Sequence, residues 1–310
     1  MACVRGIVLD DGPERGVRAL AFSTGGGLDF WVLSDRSFDI GPLWWRGVQL
    51  GWQAPDGFRS PALSDLDSEG GMGFQRSISG FLVTCGLDHI RQPRDGNPMH
   101  GRIPFTPGRV LAHGESWQEG DAILFCEGEV TQARLGGEAL RLRRRIEAPV
   151  GGAVIRIRDE VENIGATAWP QAMLYHFNLG YPAVADGTTV EVDGKIVVEA
   201  VAVPEDGHPT PAWSFPVAAQ PRASAVVKTP AGSDRSLSVE LCFETKTLPF
   251  LQFWRDLRPQ CGIFSVEPCT STRGEGGQST EERVLQPGER RAYSIDVRVS
   301  GDAPAFNDLL

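Results

Sequence analysis

No apolar run in this chain approaches the ~18 residues a membrane span needs. The N-terminal stretch MACVRGIVLDDG carries charges where a secretory segment would be apolar. Both absences predict a soluble, cytoplasmic protein. The six cysteines, at 3, 85, 126, 242, 261 and 269, form no CxxC pair and no metal-finger spacing. Several lie in apolar runs such as FLVTCGL and LCFE, which predicts reduced, buried thiols. A basic stripe is missing too. The formal charge of −10 sets aside nucleic acid and anionic membrane surfaces as partners. The one dense basic run, RLRRR at 141–145, falls inside an alternating segment and reads as a strand edge guarded by charge.

Helical signal is equally scarce. No amphipathic stretch of ten or more residues stands out, and residues 63–72, LSDLDSEGGM, hold a turn of helix at most. Linkers, repeats and low-complexity tracts are absent, so residues 1–310 read as one continuous domain. What fills the chain is strand signal. LDFWVLSD, AILFCEGEV, ALRLRRRIE, AVIRIRDEVEN, TVEVDGKIVVEA, SLSVELCFE, FLQFWRD, CGIFSVEP and AYSIDVRVS are short, rich in β-branched or aromatic residues, and often alternating. With 37 glycines and 22 prolines scattered throughout, they predict an all-β protein, a large antiparallel β-sandwich. In such folds functional groups gather where strand ends or one concave face open to solvent.

The common catalytic signatures are also missing. There is no GxSxG elbow, no HExxH helix, no GxxxxGK[ST] loop and no glycine-rich turn opening a helix. Three stretches remain. In LYHFNLGYP, Tyr175, Phe177 and Leu179 share one strand face while Leu174, His176 and Asn178 share the other. In NPMHGRIPF, His100 and Arg102 share a face if the piece is extended, with Gly101 permitting close approach. In CGIFSVEPCTS, Ser265 and Glu267 share a face, and Pro268 is expected to stop the ladder just after the carboxylate.

Glu267, at the end of an apolar strand, is either paired internally with a cation or facing a cleft as a base. One carboxylate base with one histidine acid suits the opening and closing of a sugar hemiacetal. The base removes the anomeric hydroxyl proton while the acid protonates the ring oxygen, each within ~3 Å of its oxygen. A glycosidase would need a second carboxylate, and a metal site from His89, His100, His176 and Glu267 lacks HxH or HxxxH spacing.

Taken in order, LSDRSFDIGPLWWRGVQLGW, FQRSISGFLVTCGL, MHGRIPF, VENIGATAWPQAMLYHFNLGYP, LPFLQFWRD and GIFSVEPCTS resemble the aldose 1-epimerase (galactose mutarotase-like) superfamily, and within it the bacterial aldose-1-epimerase-like branch. The resemblance implies a large antiparallel β-supersandwich that binds a pyranose on its concave face and works without a cofactor. It implies Glu267 as the base, His100 as the histidine near the ring oxygen, and His176 as the general acid. One departure is plain. Better-known members carry the second histidine two positions earlier, where this chain has Leu174, a displacement of ~6–7 Å along a strand. Either the substrate sits differently, or His100 is the acid and His176 positions it. The family's Asn-Arg pair ahead of the first histidine is not evident, which leaves Arg76 and Arg102 as replacements.

Further contacts follow from side-chain chemistry. Trp254 and Gln252 share a strand face, offering an indole to a sugar's CH face and an amide to its hydroxyls. Asn178 lies on the His176 face. Asp39 and Arg36 pair with each other or touch the ligand. Arg102 beside His100 would recognise an anionic group on the sugar. His89, His113 and His208 read as ordinary. The expectation is an isomerase acting on a neutral or acidic sugar, as a monomer or homodimer, with neither metal nor cofactor. Its rivals are a non-catalytic sugar-binding protein on the same scaffold and a glycoside-processing enzyme.

Overall fold

Short β-branched and aromatic runs broken by glycine, proline and aspartate favour a chain that folds back on itself, strand after strand. The computed structural model describes residues 1–118, 120–231, 235–281 and 283–302. The first strands, β1 (Cys3–Val8), β2 (Arg18–Ser23), β3 (Leu28–Leu33), β4 (Asp39–Trp45) and β5 (Val48–Gln49), form a five-stranded sheet in that order. Then come β6 (Leu82–Leu87) and a meander of long strands, β7 (Arg109–Gln118), β8 (Asp121–Ala133), β9 (Ala139–Pro149) and β10 (Val154–Asn163). The short β11 (Trp169–Pro170) precedes β12 (Ala172–Leu179), β13 (Thr189–Val192), β14 (Lys195–Val198) and β15 (Thr210–Pro216). The chain continues through β16 (Arg222–Pro230), β17 (Ser236–Glu244), β18 (Phe250–Asp256), β19 (Ile263–Cys269), β20 (Val284–Leu285) and β21 (Arg290–Gly301).

Nine strands, in the order β14-β13-β16-β17-β21-β10-β9-β8-β7, build the large sheet, and a second five-stranded sheet runs β15-β18-β19-β12-β6. Their pairings are antiparallel, as the composition predicts. The two sheets pack face to face. Tyr175, Phe177, Leu251, Phe253, Phe264 and Val266 meet Ile146, Ile157, Leu241, Phe243, Ile295 and Val297 in one apolar cluster. Burial patterns explain the sequence signals. β10 alternates between buried and half-exposed residues along its length, whereas β19 is buried on both faces and β12 nearly so, which is why those two read as apolar runs. On the outer face of the second sheet, loop residues Phe74, Ile90 and Phe105 cover Cys85, Leu174, Phe250 and Cys269.

Three local expectations meet the structure differently. Residues 68–71 form one α-turn, as expected, and among the described residues no helix is long and apolar enough to cross a membrane. The six cysteines are free, with Cys85, Cys126 and Cys269 buried and the other three half-buried. The RLRRR run is not a strand edge. It lies in β9, between β8 and β10, and its charges are met by acids: Arg141 on Glu162, Arg144 on Asp159 and Arg145 on Glu147, each at 2.6 Å. Alternation reports which face a side chain occupies, not which strand lies alongside, so the edge reading had no register to rest on.

Candidate active site

Gln252, Glu267 and His176 lie side by side across β18, β19 and β12. Gln252 pairs directly with Glu267, and the register that sets Leu174 opposite Cys269 and Phe177 opposite Val266 places His176 opposite Glu267. One row further along the sheet, Trp254, Ser265 and Asn178 are likewise neighbours. Because side chains alternate, both rows project from the same face. Pro268 does not end its strand, since β19 runs on to Cys269 with Pro268 opposite Leu251. On the β12 side, Thr270 N–H bonds to Met173 O, so the next such donor would come from residue 268. Proline has none, and the ladder lapses beside Glu267 instead of stopping.

The hydrogen bonds assign the histidine's protons. Asn178 spends its Nδ2 on Gly80 O (3.0 Å), and its Oδ1 accepts from Ser265 Oγ (3.2 Å). His176 Nδ1, 2.6 Å from that same Oδ1, is therefore the donor. Nε2 is left facing Glu267 Oε1 at 3.5 Å. Gln252 Nε2 donates to the other carboxylate oxygen, Oε2, and Glu267 is fully buried. Oε1 has no hydrogen-bond partner among the described residues. Nε2 and Oε1 thus stand together, a ring nitrogen able to give or take a proton beside a carboxylate oxygen able to accept one.

His100 arrives from a loop, not a strand. It adopts a positive φ of 63°, and its carbonyl accepts from Gly86 N (2.9 Å) at the end of β6. The approach is close enough that a Cβ on Gly101 would collide with the carbonyl oxygens of Gly86 and His89. His100 Nδ1 accepts the Arg91 backbone N–H (3.3 Å), which leaves the ring hydrogen on Nε2. Burial, then the neighbouring His176 and Arg91, push its pKa well below the ordinary 6.5, so His100 is a neutral donor. Phe74 packs against both imidazoles, with ring centroids 4.8 Å from His100 and 6.1 Å from His176, and Trp254 stands edge-on to His176 at 6.4 Å. Together they line a cavity of about 350 Å³, of a size suited to a small molecule.

Other expected site residues lie elsewhere. Arg102 donates to Asn97 Oδ1 (2.9 Å), Asp67 Oδ1 (2.8 Å) and Gly96 O (2.8 Å), clamping two loops together outside the cavity. The extended strand that would have aligned it with His100 does not form. Arg76 pairs with Glu69 on an exposed surface. Asp39 is buried beneath the sheet, accepting from Thr84 N (2.9 Å) and Oγ1 (2.6 Å), with Arg144 at 3.5 Å. Burial pushes its pKa up to about 7, against the pull of Arg144. Arg36 makes no ion pair with Asp39 among the described residues and does not line the cavity; its guanidinium donates to Arg59 O and Ser77 O and lies over the Phe105 ring. Asn178 orients His176 and does not line the cavity.

Phe74, Gln92, Met99, residues 209–212 and Arg273 are also in the lining. None was singled out in the sequence: Phe74, Gln92, Met99 and Arg273 lie outside the strands and residues 210–212 open the edge strand β15, so only the folded chain brings them to the cavity. The polar, glycine-rich TRGEGG that follows β19 was the one local cue to Arg273. Among the described residues no group of three His, Cys, Asp or Glu is placed to hold a metal ion.

Solved structures share this architecture. A protein from Klebsiella pneumoniae, provisionally named an aldose 1-epimerase, aligns with a TM-score of 0.76 at 17% identity, covering 96% of this chain and 83% of its own. A galactose mutarotase-like protein from Clostridium acetobutylicum gives 0.61 at 13% identity, covering 96% and 98%. The galactose 1-epimerase from Lactobacillus acidophilus gives 0.59 at 13% identity, covering 97% and 99%. At these identities the likeness establishes the galactose mutarotase-like fold. No curated protein matches the chain in sequence. One family profile, described as "Domain of unknown function (DUF4432)", matches residues 14–299, so the chain belongs to that family.

Proposed function

We propose that the protein interconverts the anomers of a free sugar by acid–base ring opening. Glu267 takes the anomeric hydroxyl proton while His176, protonated on Nε2, gives its proton to the ring oxygen. The C1–O5 bond breaks, the aldehyde turns about its bond to C2, and the ring closes as both protons return. The reading is supported above all by the adjacency of His176 and Glu267 at the cavity floor, 3.5 Å apart. Both reacting oxygens sit on one carbon, so their acid and base must stand side by side.

The two histidines divide the work. Asn178 holds His176 in the tautomer that aims Nε2 at the carboxylate. His100, kept neutral, donates a hydrogen bond to the bound ring and gives up no proton. Trp254 offers an indole to the sugar's CH face. Glu267 is the one carboxylate among the described lining residues, which leaves a two-carboxylate glycosidase mechanism short of a partner.

Exchange spectroscopy of α and β anomer signals across a panel of sugars tests this. Interconversion faster than in buffer, for at least one sugar, is the expected result. A sugar whose lines broaden on binding while its anomers exchange no faster would replace the enzyme with a binding protein.

A further inference from the structure

Among the described residues, two guanidinium groups, one lining this cavity and one behind it, make no ion pair. Arg273 lines the cavity half-buried. Its backbone N–H bonds to Ser214 Oγ (2.7 Å), but among the described residues its guanidinium makes no ion pair or hydrogen bond. Arg91, fully buried behind His100, gives Nη2 to Ser271 O and Cys269 Sγ while Nε and Nη1 go unpartnered, and no carboxylate pairs with it either. This occurs in a chain with ten more acidic than basic residues, 40 against 30. Among the described lining residues the one acid near these two cations is Glu267, already bonded by Gln252 and facing His176.

The position of Arg273 is built. A Cβ on Gly277 would overlap the Arg273 guanidinium and Gln92, so a glycine there, at φ 79°, leaves room for the fork against the wall. Burial and the repulsion of Arg91 both make the Arg273 charge costly, lowering its pKa from the ordinary 12.5. An anion from outside the chain would relieve that cost.

We infer that the sugar taken by this cavity carries a carboxylate, and that Arg273 is the residue that binds it. The inference rests on the sugar-site reading above. A single cavity-facing fork matches a planar carboxylate in a bidentate grip, with Arg91 keeping the wall behind it positive. A phosphate dianion carries more negative charge than one cavity-facing guanidinium balances.

The test is ligand-observed spectroscopy on the full chain with D-glucuronate and D-galacturonate, their neutral parents, and the parents' phosphate esters. Line broadening reads binding, and anomer exchange reads turnover. Uronates are expected to bind better than the neutral parents by about tenfold or more. Arg273→Gln should bring that ratio close to parity, while Arg273→Lys, which keeps charge but loses the fork, should retain part of it. Glu267→Gln should abolish exchange yet keep the uronate preference in binding, so the anion site and the catalytic reading fail or stand separately. Neutral sugars bound as well as uronates, phosphate esters bound better, no uronate bound at all, or a preference that survives Arg273→Gln would each overturn the inference.

Discussion

His176 and His100 face the same cavity with rings 5.7 Å apart, yet their hydrogen bonds differ. His176 donates from Nδ1 and meets a carboxylate at Nε2, so it can carry a transferable proton. His100 accepts at Nδ1 from a backbone N–H, and its burial disfavours the imidazolium. It has no proton to lose as pH rises through neutrality. His100→Gln is therefore expected to raise KM by about tenfold while the pH–rate profile keeps its shape, checked by initial rates across pH. Loss of a limb of that profile would make His100 the acid. Both histidines and Glu267, singled out in the sequence, line one cavity. Sequence could not divide their roles, because the deciding contacts come from Asn178, Ser265 and the Arg91 backbone, and only the fold brings Ser265 to Asn178 and turns the Arg91 N–H onto His100.

At the scale of elements, β12 and β19 were legible because an apolar run and the two faces of a strand are both local properties. The faces assigned to Tyr175, Phe177 and Leu179 are those that pack in the core. The loops over the sheet were not legible. Arg102 looked like a ligand contact only while residues 97–105 were taken as extended. His100's left-handed backbone breaks that alignment, and Arg102 ties residues 96 and 97 to Asp67 instead. Partly exposed contacts of this kind are each worth up to about 1 kcal/mol, so Arg102→Ala should raise KM for charged and neutral sugars alike, by roughly fivefold. Amide exchange of the 91–102 loop should quicken in parallel. A loss confined to anionic sugars would return Arg102 to the ligand.

Across the whole molecule, a buried charge network joins the sheets. Asp39 in β4 holds Thr84 in β6; Arg144 in β9 bonds Thr84 (2.8 Å) and Asp159 in β10, which accepts from Tyr175 in β12 (2.7 Å). No single segment of sequence reveals such a network, since its members come from five strands. It carries a pH signature. Asp39 keeps its proton in the folded state to about pH 7 but would release it near 3.8 when unfolded, so the folded state binds more protons between those values. The contribution of Asp39 to wild-type stability falls through that window as pH rises. Asp39→Asn should gain on wild type over the same window, by up to about 1.4 kcal/mol per pH unit, as read by urea unfolding at several pH values. A difference independent of pH would contradict the raised pKa.

The account stands or falls on the pair at the cavity floor. Its most direct test is the anomer-exchange rate of wild type, Glu267→Gln and His176→Asn on whichever sugar the wild type exchanges fastest, with binding followed in the same samples. The expected result is accelerated exchange by wild type, a loss of about 10²- to 10⁴-fold in each variant, and binding retained. Exchange by Glu267→Gln at the wild-type rate, or no acceleration of any sugar by wild type, would contradict it.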